Sequence, residues 1–394
     1  MPPETASRLQ DGIYFASGTT PLSAYRLVLL NVRGAASAAE VRGALATMWG
    51  KLQQLREGVF DEGAPAVGGA ADPGELSCLL GFGASLFARY GGLARPGGVE
   101  PLGDLPFKSL RWVAADRRIG EADLVVQLIA KSELAVDRAV VELWTWTSSA
   151  QVPLEILTVY NGFKRDDGRS WLGFHDGVNN IESSQRRGVI EATGGNPAWM
   201  DGGTYMAFLR LALDLVAWHQ LSPAIQEIIV GRDKQSGCPL VRVDPGLKPV
   251  AMAGCPAGSN HPQSASYKNP PLPGVDQGLL RESHMHRVNL NRQGPPDEEQ
   301  NNRIFRQGYE FVESLGAGGL RVGLNFVSFQ RSLGNITRIL HLPGWLGDAN
   351  FGGVADASAP VPGGLAPLRL ISVIAGGYYA VPPSAKPFPG ADIF

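Results

Sequence analysis

Cysteine is scarce: the 394 residues hold three, Cys78, Cys238 and Cys255. No two share CxxC spacing, so neither a disulfide framework nor a cysteine-based zinc site is expected, and a reducing compartment is the plain reading. Charge is sparse as well, at 18% of residues, with Lys+Arg 35 against Asp+Glu 37 and a formal net charge of -2. Such a balance offers no basic footprint for nucleic acid. No apolar run reaches the roughly 18 residues a membrane-spanning helix needs. The opening stretch MPPETASRLQDGIYF lacks the basic-then-apolar order of a secretory leader. The expectation is a cytoplasmic protein with neither membrane nor nucleic-acid partners. Dinucleotide GxGxxG, P-loop, HExxH and GxSxG signatures are all absent, which leaves nucleotide, zinc-hydrolase and serine-hydrolase chemistry unsupported.

What is plentiful is glycine (50) and proline (29), about a fifth of the chain. That level implies many turns and long ordered loops around a core of ordinary size, since 44% of residues are apolar. The length suggests two domains. In the first half, YRLVLLNV (25–32) reads as a strand, and Ser37 with Glu40 has the form of a capping box. Val41, Leu45, Met48, Leu52 and Leu55 then recur at helical spacing. LSCLLGFGASLF (76–87) and DLVVQLIAKS (123–132) read as strands, LAVDRAVVELW (134–144) as a helix, and EILTVY (155–160) as a further strand. The order βαββαβ is that of a ferredoxin-like unit with an antiparallel sheet.

The second half repeats this order less clearly. It runs through a strand at 203–213, a helical stretch past Trp218, Ile225 and Ile229, and a loop over much of 235–278. A segment around His284, a strand at 321–330, a short helix near 336–340 and a last strand at 368–376 complete it. The fold class expected is α+β: two tandem ferredoxin-like domains, 1–190 and 195–394, joined near Arg187 to Pro197. The first carries a Gly-Phe-His-Asp-Gly motif near its end.

Three segments could carry chemistry. In Ser283-His284-Met285-His286-Arg287 an extended chain would point both imidazoles to one face, which suits a metal. Equally, one ring could ligate and the other only hydrogen-bond, or both could lie on a surface loop. Gly173-Phe174-His175-Asp176-Gly177 could aim a carboxylate into a cavity or could be a plain Asp-Gly turn. Arg303 to Tyr309 alternates arginine with apolar residues, and its permanent cations could steady a forming anion or could line a solvated face.

Together these segments resemble the dye-decolorizing peroxidase family of haem enzymes. Gly173 to Gly177 matches that family's GxxDG signature. Gly203-Thr204-Tyr205 with Asp214, Trp218 and Gln226-Glu227 is similar to its next strand and helix. Val230 to Lys234 with Gly237 to Leu240, Ser283 to Asn289, Arg303 to Gly308, and Gly323 to Gln330 resemble further family stretches in the same order. The likeness is dense from about Trp171 onward and weak before it.

The resemblance implies haem b, one per chain in the C-terminal domain, with His284 as axial iron ligand and His286 as the alternative. It places Asp176 and Arg306 on the open distal face as catalytic residues, and Leu324 and Phe326 on its apolar wall. It implies hydrogen peroxide and small organic donors, such as dyes and phenols, as substrates. Better activity at mildly acidic than at neutral pH is the corresponding expectation, as is a homo-dimer or larger homo-oligomer. Two departures stand out. Pro362 to Ser372 holds no acidic residue to support the axial histidine, and Gly308 lies where some relatives have asparagine. Release of iron from haem, non-catalytic haem carriage and a non-haem metal site at His284 and His286 are the competing readings.

Overall fold

The computed structural model describes residues 8–13, 22–59, 72–93, 122–178, 180–181, 186–192, 197–253, 255, 280, 283–289, 303–341 and 370–394. Four strands form the N-terminal sheet: β1 (Ala24–Val32), β2 (Ser77–Gly83), β3 (Leu124–Ala130) and β4 (Leu154–Phe163). Helices α1 (Ala38–Arg56), α2 (Ala84–Arg89) and α3 (Glu133–Thr147) accompany them. α1 begins as expected, with Glu40 N donating to the Ser37 hydroxyl and Ser37 N donating back to the Glu40 carboxylate. Its Val41, Leu45, Met48, Leu52 and Leu55 are all buried. The strand expected over 76–87 stops at Gly83, and the rest of that apolar run is α2, because an unbroken apolar run carries no period to tell the two apart.

The C-terminal sheet comprises β5 (Thr204–Leu213), β8 (Phe305–Gly316), β9 (Gly319–Gln330) and β10 (Ile371–Val381). Helix α4 (Arg186–Ile190) precedes β5, and between β5 and β8 lie helices α5 (Leu215–Gln220), α6 (Pro223–Val230) and α7 (His284–Asn289) and the small hairpin β6 (Leu240–Asp244) and β7 (Lys248–Ala251). α8 (Leu333–His341) joins β9 to β10. The hairpin falls inside the expected long loop; most of the remainder of 235–278 after Ala251 lies outside the described residues. β8 is a full strand that takes in most of the arginine-bearing segment Arg303 to Tyr309.

Strand order around the molecule is β1-β3-β2-β10-β5-β9-β8-β4, closing on β1, and all pairs are antiparallel. Each half therefore has the fourth, first, third and second strands side by side, the ferredoxin-like order expected. The halves join by the short seams Tyr379↔Gly83 and Ala380↔Phe82 on one side and Phe163↔Glu310 on the other.

Leu27, Leu29, Val125 and Ile129 of one sheet meet Phe208, Tyr309, Val327, Phe329 and Tyr379 of the other inside the closed sheet. Val28, Leu30, Val126 and Leu128 on the outer face pack under α1 and α3. Burial on both faces is why β1 and β3 read as continuous apolar runs without alternation. On the outer face of the C-terminal sheet, α8 covers Ala207, Leu209 and Val373 through Leu333, Ile336 and Leu340. No helix among the described residues is long and apolar enough to cross a membrane.

Cys238 and Cys255 form a disulfide with Cα atoms 6.1 Å apart, and Cys78 is buried and free. This corrects the expectation of no disulfide. The β6–β7 hairpin turns the chain back on itself, and a separation of 17 residues carries no short-range spacing signal.

Candidate functional site

Side chains alternate along a strand, so β8 turns Gln307 and Tyr309 into the closed sheet and Arg306, Gly308 and Glu310 outward. Register sets Arg306 beside Ser328, Gly308 beside Phe326, and Glu310 beside Leu324. Leu211 of β5 pairs in turn with Leu324. Arg306, Gly308, Leu211, Leu324 and Phe326 all keep accessible surface in mid-sheet, while Gln307, Tyr309, Asn325 and Val327 on the inward face are buried. An apolar wall is thus left partly open in mid-sheet.

Asn180 locks the Arg306 backbone from both sides: Arg306 N donates to Asn180 Oδ1 at 3.0 Å, and Asn180 Nδ2 donates to Arg306 O at 2.7 Å. The guanidinium donates through Nη2 to Val178 O at 2.9 Å, so the turn after Asp176 holds it. Burial lowers the Arg306 pKa, and the Asp176 carboxylate opposes that. The guanidinium remains cationic, as arginine does.

The loop carrying Asp176 is built on glycines where the sequence placed them. Gly173 (φ 87°) lies so close to Lys234 that an added Cβ would stand 2.5 Å from its Cε, and Gly177 has φ 75°. Arg169 fastens the loop by donating to Gly173 O and Lys234 O, both at 2.7 Å, with His175 Nε2 2.9 Å from its Nη2. His175 thus faces the 234–237 turn and serves the loop. Asp176 accepts from Lys164 Nζ at 3.0 Å and from Gly177 N at 2.8 Å. Its side chain is 39% accessible. Burial pushes its pKa up, but Lys164, Arg306 and the two hydrogen bonds outweigh that, and the carboxyl titrates below its ordinary value. It is therefore an anion at neutral pH.

His284 opens α7. Gly231, the left-handed cap of α6 (φ 83°), permits a close approach, since a Cβ there would stand 2.5 Å from Ser283 Oγ and 3.1 Å from Met285 Cβ. Burial, with the Arg306 and Arg232 guanidiniums nearby, pushes the His284 imidazole down to about 3. It is neutral and able to ligate a metal. Arg232, itself pushed down to about 10 by burial and by Arg306, donates to Gly237 O at 2.9 Å.

The expected one-faced His-x-His pair on an extended chain is corrected: residues 284–289 are helical, and positions two apart on a helix do not face each other. The ring of His286 lies outside the described side chains, as do Trp345 and most of 362–372. No cluster of three or more His, Cys, Asp or Glu suited to a bare metal ion occurs among the described residues. A neutral imidazole, guanidiniums and an apolar wall suit a metal carried in a flat, apolar, anionic ligand, which is the chemistry of a haem.

The structure brings Asp176, Arg306 and Leu324 to one place, around Gly308, where an added Cβ would stand 3.1 Å from Leu324 Cδ1 and 3.4 Å from Asp176 Oδ2. Phe326 lies beside Gly308 in register, and Arg306 is close enough to lower the pKa of His284. Sequence reasoning missed Lys164, Asn180 and Glu310. Only Glu310 left a signal: with β8 recognised as a strand, 306, 308 and 310 share a face.

Comparison with known proteins accords with this geometry. The family model described as Dyp-type peroxidase, N-terminal, matches residues 18–163, and that described as Dyp-type peroxidase, C-terminal, matches residues 167–386. Curated relatives named deferrochelatase, from Escherichia coli O157:H7 and Shigella flexneri, are 27% identical over 287 residues. The match spans 68% of this chain and 60% of those proteins. Among solved structures, a DyP-type peroxidase from Cellulomonas bogoriensis superposes with TM-score 0.72 at 23% identity, over 98% of this chain and 96% of that one. A DypB variant from Rhodococcus jostii RHA1 in complex with heme gives TM-score 0.61 at 18% identity, over 96% and 97% of the two chains.

Proposed function

Because the chain belongs to the Dyp-type peroxidase family, we propose that it is a haem-dependent peroxidase, reducing hydrogen peroxide and oxidising small organic donors by one-electron steps. The observation that carries this reading is an ionised Asp176 beside Arg306 on an apolar wall, with a neutral His284 nearby. Bound haem b would supply the redox-active iron. His284 would hold that iron through its ring, and Leu324 and Phe326 would exclude water from the surroundings of Asp176 and Arg306.

Asp176 Oδ1 or Oδ2 would take the proton from the near oxygen of peroxide and return it to the far one, which needs an ionised carboxylate at the start. Arg306 would stabilise the negative charge that develops as the O–O bond lengthens. Neither role needs the side chain absent at Gly308.

The test is reconstitution with hemin followed by rapid mixing with peroxide. Wild type should take up hemin with a histidine-ligated spectrum and react rapidly, and His284→Ala should lose that spectrum. Asp176→Asn and Arg306→Leu should each slow the peroxide reaction by about 10²-fold or more. Unchanged rates in both would remove their roles. The name of the curated relatives, deferrochelatase, favours a second reading, release of iron from haem. Free protoporphyrin among the products would select it.

A further inference from the structure

Glu310 is a second carboxyl beside the site that the peroxide chemistry above does not use. It is 5% exposed. Oε1 accepts from Trp171 N at 3.2 Å, and Oε2 is buried with no hydrogen-bond partner among the described residues. It shares the outer face of β8 with Arg306 and Gly308. Because Gly308 has no side chain, the Asp176 carboxylate occupies the space above it, 3.4 Å from where a Cβ would be. The three groups therefore follow one another along the strand: guanidinium, Asp176 carboxylate, Glu310 carboxyl.

We propose that Glu310 is the proton store of this site, a protonated carboxyl that hands its proton to Asp176 across the gap left by Gly308 and later recovers it. The inference rests on the peroxidase reading. A buried carboxylate with an unpartnered oxygen is costly, and protonation removes the cost. Two neighbouring carboxyls also resist double ionisation. The cations close by do not reverse this. Lys164 donates to Asp176, and Arg165 Nε donates to Asp167 at 2.9 Å. Burial first, then the Asp176 charge, push Glu310 up to about 8 against the Trp171 amide, Lys164 and Arg165. At neutral pH the pair holds one proton, and it resides on Glu310.

The transfer is balanced and needs no other reagent. The O–H bond at Glu310 breaks, one forms at Asp176, and the negative charge moves from Asp176 to Glu310. Its use follows from the stoichiometry: reducing peroxide to two waters consumes two protons with the two donor electrons. Asp176, ionised at rest, holds neither. Glu310 supplies one without waiting for bulk solvent.

Infrared spectroscopy of the hemin-loaded protein, without peroxide, tests the store directly. Wild type should show a deuterium-sensitive C=O stretch of a buried protonated carboxyl at neutral pH, fading as pH rises through about 8. Glu310→Gln should lack it. Absence of the band in wild type overturns the proposal whether or not the variant folds, and so does its survival in Glu310→Gln. Donor turnover gives the second readout: kcat in Glu310→Gln should fall by about 10²-fold, and an unchanged kcat overturns the relay. Failure of the protein to react with peroxide would sink the peroxidase reading and leave the infrared result standing apart.

Discussion

Lys164 donates from Nζ to Oδ2 of Asp176 at 3.0 Å, so the last turn of chain out of the N-terminal sheet sets the charge of the motif carboxylate. The same ammonium lies 5.4 Å from the centre of the Tyr309 ring, which helps fix its place. Removing that cation in Lys164→Met should let the Asp176 carboxyl rise toward its ordinary value. The acid limb of the peroxide reaction should then move to higher pH, read from rapid-mixing rates across a pH series. A depressed carboxyl stabilises the fold above its unfolded pKa and ceases to do so as pH falls through its folded pKa. The stability difference between the two proteins should thus be seen near neutrality and vanish in acid. With Asp176 more than a third open, it should amount to about 1 kcal/mol or less.

Gly308 leaves room that the Asp176 carboxylate uses. A Cβ there needs Leu324 Cδ1 to yield by a few tenths of an ångström, and the two methyl groups of valine need considerably more. Gly308→Val should therefore displace Asp176 and slow the peroxide reaction by about 10-fold or more, since misplacement of about 1 Å can cost 10²-fold. Hemin uptake, which depends on His284, should persist. A valine variant reacting at the wild-type rate would show that Asp176 does not rely on this gap.

Arg210 is 1% exposed on β5, with Nη1 donating to Asn325 Oδ1 and Nη2 to Glu313 Oε2, both at 2.7 Å. Its guanidinium lies 3.5 Å from the Phe311 ring centre and 4.5 Å from that of Tyr160. Glu313→Ala leaves this buried cation with only neutral partners from that set, apart from whatever water can reach it. Breaking a buried pair on one side costs about 3–5 kcal/mol, and partial exposure of Glu313 places the expected loss at the low end. Urea unfolding of the variant checks this, and a change under about 0.5 kcal/mol would contradict it.

The Cys238–Cys255 bridge closes a loop that borders the turn holding His175 and Arg169. For a loop of this length, about 3 kcal/mol of stabilisation is expected. Cys255→Ser should lower the unfolding midpoint accordingly, and non-reducing peptide mapping of wild type should recover the 238–255 pair. A free thiol count of three would refute the bridge.

Local signals were legible because their physics is local. The Ser37–Glu40 capping box, the spacing of Val41, Leu45 and Met48, and the strand patterns of β1, β3 and β5 are decided within a turn or two of chain. The ferredoxin-like order of the first half follows from such signals, whereas the second half shows it less clearly because β8 carried no strand reading. Asp176 and Arg306 were marked by motif, and the structure brings them together around Gly308. What the sequence could not announce depends on residues distant along the chain. His284 lies on a helix and not on an extended segment, and its neighbours Ser283 and Met285 pack against Gly231, the cap of a separate helix. The closure of both sheets into one depends on the seams at Gly83 and Phe163. Lys164 acquires its role 12 residues from Asp176. Glu310 is a carboxyl like any other until burial removes water from it. Periodicity and capping thus determine the elements, whereas the charge state of each site residue is decided only by what the folded sheets and loops place against it.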